Sequence, residues 1–158
     1  MVYAIVLILI IALDQITKVI FAANGVGWGF DGIPGFIDFY CTKNSGAAWS
    51  FGANTSWAQT LFISLTCVIL PALFVLFLGI RNDNKWLKTT VIFIIAGTIG
   101  NFIDRIVFGE VTDFLYLHWI KASCNVADVA LTVGAIMLVV YFLFIDKDAL
   151  IPIKKENG

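Results

Sequence analysis

The sequence has few charged residues. They make up 13% of its 158 positions, whereas apolar residues make up 60%. Soluble globular domains carry about 25% charged residues, so this composition excludes an ordinary soluble domain. The mean hydropathy of +0.94 predicts an integral membrane protein.

The sequence also lacks a strong net charge. The formal net charge is -1, and lysines and arginines do not cluster with aromatic residues. Nucleic-acid binding requires a basic patch, so we expect no nucleic acid among the partners.

Metal-binding and nucleophilic residues are scarce. The one histidine, His118, and the three cysteines, Cys41, Cys67 and Cys124, have no metal-ligand spacing. We therefore expect no metal and no cofactor. A cysteine nucleophile also needs a neighbouring base, and the single histidine forms no recognisable pair with one.

Long apolar runs are abundant. A helix needs about 20 apolar residues to cross a ~30 Å hydrocarbon core. Four stretches reach that length, at residues 2–23, 57–80, 87–106 and 125–145. They predict an all-α membrane protein, a single domain over residues 1–158. Because Asp14 and Lys18 interrupt the first run and no basic residue precedes it, we expect a retained helix there rather than a cleaved signal peptide.

The positions of the basic residues predict the orientation. Lysines and arginines near membrane helices are retained on the cytoplasmic side. They concentrate between runs two and three and after run four, at Arg81, Lys85, Lys88, Lys147, Lys154 and Lys155. Both termini should then be cytoplasmic, with residues 24–56 and 107–124 outside. Cys41 and Cys124 share that outer side, where a disulfide is an alternative to three free thiols.

The outer segment at residues 24–56 is rich in glycine and aromatic residues. Its middle, "GFIDFYCT", partly alternates and contains many β-formers. We therefore expect a small β-containing cap on the outer membrane surface.

Acidic residues gather at the outer helix ends. They are Asp14, Asp31, Asp38, Asp104, Glu110, Asp113 and Asp128. A charge at membrane depth costs roughly 2.5–3.5 kcal/mol, so such groups are expected to face the bundle interior or a wet cavity. Two carboxyl groups held close share one proton, and the ionised member can then act as a base on water. The residues thus favour an aspartic protease mechanism.

Three acids compete for this pair. Arg105 directly follows Asp104 and should keep it ionised, whereas Asp113 can approach Asp128 across a short connection. We therefore favour Asp113 and Asp128, with Asp104 as the alternative. Asp128 has a second interpretation, because a carboxylate also stabilises the start of a helix.

Asp14 and Lys18 lie four residues apart, so one helix face carries both. Such a pair can simply neutralise itself near the membrane surface.

Five motifs occur in one order along the chain: "DQITK", "NSGAAW", "GTIGNFIDR", "VTDFL" and "CNVADVALTVG". In order and approximate spacing they resemble those of lipoprotein signal peptidase, or signal peptidase II. The resemblance implies an intramembrane aspartic endopeptidase of the bacterial inner membrane. Such an enzyme would cut prolipoproteins immediately before a cysteine that carries diacylglycerol. We expect it to act as a monomer that is surrounded by membrane lipid.

The resemblance also implies roles for individual residues. Asp113 and Asp128 match the catalytic pair, and Asp104 matches a position important to the site. The remaining matches are expected around the substrate: Asn44, Gly46, Asn101, Arg105, Asn125, Asp14 and Lys18. Intramembrane acids also occur in proton-coupled carriers, and small-residue faces occur in helix-association scaffolds. These remain the alternative functions.

Overall fold

The computed structural model describes residues 1–46 and 55–145, except for the side chain of residue 56. Its helices are α1 (Val2–Asn24), α2 (Ser56–Gly79), α3 (Lys85–Phe108) and α4 (Val126–Val140). A π-helical turn, Tyr141–Ile145, extends α4. All four spans are long and apolar enough to cross a membrane, which confirms the predicted fold class. Lys147, Lys154 and Lys155 lie outside the described residues.

A four-stranded antiparallel sheet covers one end of the helices. Its strands are β1 (Gly29–Ile33), β2 (Ile37–Asn44), β3 (Val111–Leu117) and β4 (Ala122–Cys124), in that spatial order. The predicted cap supplies only β1 and β2. The other two strands come from residues 107–124, for which the sequence predicted only an outer connection. The sequence did not indicate these strands, because β3 pairs with β2 from a distant part of the chain.

Helices α1 and α4 both pack against α3, and α2 packs mainly against α3. No residue in the most apolar 18-residue stretch of α2 is buried within the protein, so the side chains of this stretch would contact lipid in a membrane. Aromatic stacking joins the helices to the sheet, since the rings of Phe21 in α1 and Phe114 in β3 lie 4.6 Å apart. The sheet is therefore fixed to the end of α1.

Two glycines of α3 allow α4 to approach closely. A Cβ atom at Gly97 would lie 2.4 Å from the carbonyl oxygen of Ala127, and one at Gly100 would lie 2.9 Å from the Cβ atom of Ala127. Small residues at helix contacts bring backbones together in membranes. The lack of side chains at these two glycines therefore determines how closely α3 approaches the first turn of α4.

Gly97→Ala is expected to destabilise the protein by about 1–3 kcal/mol, because the new methyl group meets backbone that cannot rotate away. Thermal unfolding in detergent measures this effect. Gly79→Ala is the matched control, since a Cβ at that helical position meets nothing within 4 Å. Equal stability of the two variants would contradict the close contact.

Candidate active site

The structure brings Asp113 and Asp128 to one asparagine. Asp113 lies on β3, and Asp128 lies in the first turn of α4. The side-chain Nδ2 of Asn125 donates to Asp113 Oδ1 at 2.6 Å, while its backbone N–H donates to Asp128 Oδ2 at 3.2 Å. The carboxyl groups favoured from sequence are thus connected through a single fully buried residue. Asp113 lies on an inner strand of the sheet, whereas the sequence indicated only a short outer connection there.

Asp128 also stabilises the start of α4. Asn125 is the N-cap, its Oδ1 accepts from the backbone N–H of Asp128 at 3.0 Å, and the two residues form a capping box. The helix dipole favours a negative charge here. Capping occupies one carboxylate oxygen of Asp128. The other, Oδ1, accepts from Asn101 Nδ2 at 2.7 Å.

The end of β2 contacts the site from the other side. Asn44 Nδ2 donates to Asp113 Oδ2 at 3.1 Å, and Asn44 Oδ1 accepts from the backbone N–H of Gly46 at 2.9 Å. The carbonyl oxygen of Gly46 accepts from Arg105 Nη2 at 3.2 Å. Residues 47–49 of the "NSGAAW" motif lie outside the described residues.

Arg105 brings a cation to the same region. Its guanidinium lies 5.1 Å from the ring centre of Phe62, and its buried Nε has no hydrogen-bond partner within the described residues. A buried N–H group without a hydrogen bond lowers the stability of the folded protein. The charge of Arg105 acts on both Asp128 and Asp113.

Burial and, to a smaller extent, the nearby charge of Asp128 raise the pKa of Asp113 to about 7. Hydrogen bonds from Asn44 and Asn125 act in the opposite sense. Near neutral pH, Asp113 therefore exists in both protonation states, as a shared-proton pair requires.

Lys18 is the centre of a buried cluster behind the two acids. Its Nζ lies 2.8 Å from Asp14 Oδ2, 3.3 Å from Asp104 Oδ2 and 3.0 Å from Asn101 Oδ1. Asp14 Oδ1 accepts from the backbone N–H of Ala127 at 2.8 Å. The cluster thus holds both Asn101 and the first turn of α4. Asp14 and Lys18 are 0% and 3% exposed.

Asp104 belongs to this cluster. Besides Lys18, it accepts from the backbone N–H of Thr112 at 3.0 Å and from Gln15 Nε2 at 3.1 Å. The cation that pairs with Asp104 is therefore Lys18, not Arg105 as the sequence suggests. With both oxygens bonded and 1% exposure, Asp104 is poorly placed to activate water.

Gln15 is a further member that the sequence does not single out. Its Nε2 lies 3.1 Å from each of three acceptors, Asp14 Oδ2, Asp104 Oδ1 and the carbonyl oxygen of Gly100. The one feature of the sequence that could have indicated this role is the position of Gln15 in "DQITK", between two charged residues. Its amide joins α1 to α3.

Two cavities meet at the site. The bundle cavity, of about 420 Å³, is lined by Asn101, Arg105, Asp128, Leu131 and Thr132 among others. The sheet cavity, of about 350 Å³, is lined by Thr42, Lys43, Asp113, Tyr116 and Lys121. Both also touch Asn44, Ala122 and Ser123. Each acid therefore faces its own cavity across a shared wall.

The cysteines are free thiols. Cys41 is buried, and Cys124 lines the bundle cavity. Burial raises the pKa of Cys124 to about 12, helped by the charges of Asp128 and Asp113, so this thiol is not a nucleophile near neutral pH. Within residues 1–46 and 55–145, no group of three or more metal-binding side chains is arranged to hold an ion.

Known proteins match this chain over most of its length. The family model described as "Signal peptidase (SPase) II" matches residues 6–144. The lipoprotein signal peptidase of Listeria monocytogenes serotype 4a is 35% identical over 92% of this chain and 95% of its own. That of Pseudomonas syringae pv. tomato is 36% identical over 83% of this chain and 79% of its own.

Solved structures agree. A structure described as a bacterial membrane enzyme superposes with a TM-score of 0.83 at 32% identity, covering 99% of this chain and 93% of the other. A second, similarly described structure gives a TM-score of 0.81, at 32% identity over 90% of this chain and 93% of the other. The resemblance inferred from the five motifs is confirmed, and so is the enzyme class. The chain belongs to the signal peptidase II family, the lipoprotein signal peptidases, which are aspartic peptidases that remove signal peptides from prolipoproteins.

Proposed function

We propose that Asp113 and Asp128 are the catalytic pair of this enzyme, and that it cuts diacylglyceryl-modified prolipoproteins before the lipid-bearing cysteine. The observation that carries the proposal is the joining of both carboxyl groups to Asn125 where two cavities meet. No other acid among the described residues lines either cavity.

The chemistry needs one ionised and one protonated carboxyl group. The ionised member takes a proton from a water molecule, whose oxygen attacks the carbonyl carbon of the scissile bond. The protonated member donates its proton as the C–N bond breaks, and the cysteine amine leaves. The first proton belongs to the pair rather than to either residue.

The substrate occupies the bundle cavity from the side of α4. Leu131 and Thr132 lie on a membrane-spanning helix, so this cavity is accessible to a signal helix and its lipid chains. Asn101 and Arg105 would bind substrate carbonyl groups beside the pair. Asn44 and Gly46 would hold the outer loop over the cleavage site, and Asn125 would position both acids.

Asp14 and Lys18 would act through other residues. Since they contact Ala127, Asn101 and Asp104 within the protein, we assign them to positioning the site rather than to substrate contact.

We also propose that both termini are cytoplasmic and that the site faces outward. Arg81, Lys85 and Lys88 lie between α2 and α3 or at the start of α3, whereas Asp104 and the sheet lie at the opposite end of α3. Retention of basic residues on the cytoplasmic side supports this orientation. A monomer is proposed because one chain supplies every group of the site.

The proposal is tested by incubating the reconstituted protein with a diacylglyceryl-modified prolipoprotein. Mass spectrometry should find a signal peptide that ends immediately before the modified cysteine. An unmodified precursor serves as the control. Cleavage at another bond, or equal cleavage of the unmodified precursor, would contradict the assignment.

Activity should fall as the pH rises above about 7. Burial raises the pKa of Asp113 to about 7, so higher pH removes the one shared proton and leaves two carboxylates without an acid. The pH profile of kcat/KM for a substrate without other titrating groups measures this, with loss approaching about tenfold per pH unit. Activity constant up to pH 9 would contradict the shared proton.

A further inference from the structure

The sheet cavity is polar and lies on the strands rather than among the spanning helices. Its wall comes from β2, β3 and the start of β4. No aliphatic side chain larger than that of Ala122 lines it within the described residues. Such a cavity does not suit lipid chains or an apolar signal helix.

We propose that the sheet cavity is the subsite for the mature part of the substrate, the segment after the lipid-modified cysteine, and that Lys43 and Lys121 make it favour acidic residues there. This inference rests on the proposed function, because it assumes that the scissile bond lies between Asp113 and Asp128.

The direction of the chain follows from the two cavities. A peptide held across the pair has one part on the Asp128 side and the other on the Asp113 side. The signal helix and the lipid suit the bundle cavity, which leaves the sheet cavity for the water-soluble segment. Ala122 and Ser123 touch both cavities and belong to β4, one of the two edge strands of the sheet. An extended peptide lying along a sheet edge is a common mode of recognition.

Two lysines give the sheet cavity its charge preference. Lys43 is held in place, because its Nζ donates to Thr112 Oγ1 at 3.0 Å and lies 5.7 Å from the ring centre of Phe108. Its ion pair with Glu110 is long, at 3.9 Å. Lys121 is exposed in the turn before β4, with a φ of 51° that fixes the turn in the left-handed region.

The negative charge of Asp113, which also lines the sheet cavity, offsets the charge of these lysines only in part. Asp113 is the single carboxyl group lining the sheet cavity among the described residues. Because its pKa lies near 7, it carries less than a full charge at neutral pH. The lining therefore has a net positive charge, which attracts a carboxylate and repels a lysine in the bound peptide.

The test uses three diacylglyceryl-modified substrates that differ only at the second residue after the modified cysteine, which is Asp, Asn or Lys. The wild-type enzyme should cleave the Asp substrate with a kcat/KM roughly three- to tenfold above that of the Lys substrate. Because opposite charges attract less at high ionic strength, the ratio should shrink in high salt.

Variants at the turn make the test specific. Lys121→Gln should reduce the Asp-to-Lys ratio, and Lys121→Glu should bring it to one or below. Lys85→Glu is the matched control, since it makes the same charge change on an exposed lysine at the other end of α3 and should keep the wild-type ratio.

A wild-type ratio near one would overturn the inference, as would a ratio that Lys121→Glu leaves unchanged. A dependence on anionic lipid in the vesicles without any dependence on the peptide residue would also overturn it, because the lysines would then bind headgroups. The Asn substrate separates the two proposals: if it is cleaved normally, the proposed function stands whatever the ratio is.

Discussion

Asp113→Asn and Asp128→Asn should each reduce cleavage of a modified prolipoprotein by about a thousandfold or more, since general acid–base catalysis alone contributes roughly 10²–10⁴. Either change removes one of the two protonation states that the reaction needs. Asparagine keeps the shape of the side chain and can still bond to the groups around Asn125. Single-turnover cleavage in detergent measures the loss.

The double variant, Asp113→Asn with Asp128→Asn, should be no slower than either single variant. The two acids act as one unit, so losing either of them already removes the contribution of both to the rate. Asp104→Asn is the matched control, being a buried aspartate within the same polar region that lines neither cavity. It should retain far more activity than the other two. An inactive Asp104→Asn with an active Asp113→Asn would transfer the catalytic role to the alternative pair.

Lys18→Met should destabilise the protein by about 3–5 kcal/mol, the usual cost of removing one partner from a buried ion pair. Lys18 Nζ is the cation between Asp14 and Asp104, at 2.8 Å and 3.3 Å, and it is 3% exposed. Its loss leaves two acids facing each other in a buried cluster. Thermal unfolding should show a decrease in Tm of roughly 6–20 °C.

Lys85→Met is the control for this substitution, because Lys85 is exposed. The combined change Lys18→Met and Asp104→Asn should recover part of the stability, since it removes one of the unpaired acids. A Lys18→Met protein as stable as the wild type would show that the cluster does not hold α1, α3 and α4 together.

Much of the fold could be predicted because each membrane helix is encoded locally. Hydrocarbon accepts only backbone that bonds within its own segment. Apolar length alone therefore predicted the four membrane spans to within two residues at each end, when the π-helical turn Tyr141–Ile145 is counted with α4. The sheet was only half predicted. The β1–β2 hairpin forms between neighbours, whereas β3 becomes a strand by pairing with β2 from a distant part of the chain.

For the candidate site, the sequence predicted that Asp113 and Asp128 lie near each other, but it did not predict the contacts around them. Asp113 and Asp128 were chosen partly because Arg105 follows Asp104, yet the cation beside Asp104 is Lys18. Sequence neighbours on a helix point in different directions, so adjacency did not reveal the partner. For the same reason the bonds of Gln15 to α3 could be found only from the packed helices.

The central claim is that one proton is shared by two carboxyl groups, and infrared difference spectroscopy over a pH titration tests it most directly. The wild type should show a protonated carboxyl signal that disappears as the pH rises through about 7. Asp113→Asn should lack that signal. In Asp128→Asn its midpoint should move to lower pH, because the charge that helps to raise the pKa of Asp113 is gone. A signal that persists in Asp113→Asn, or a midpoint unchanged by Asp128→Asn, would contradict the pair.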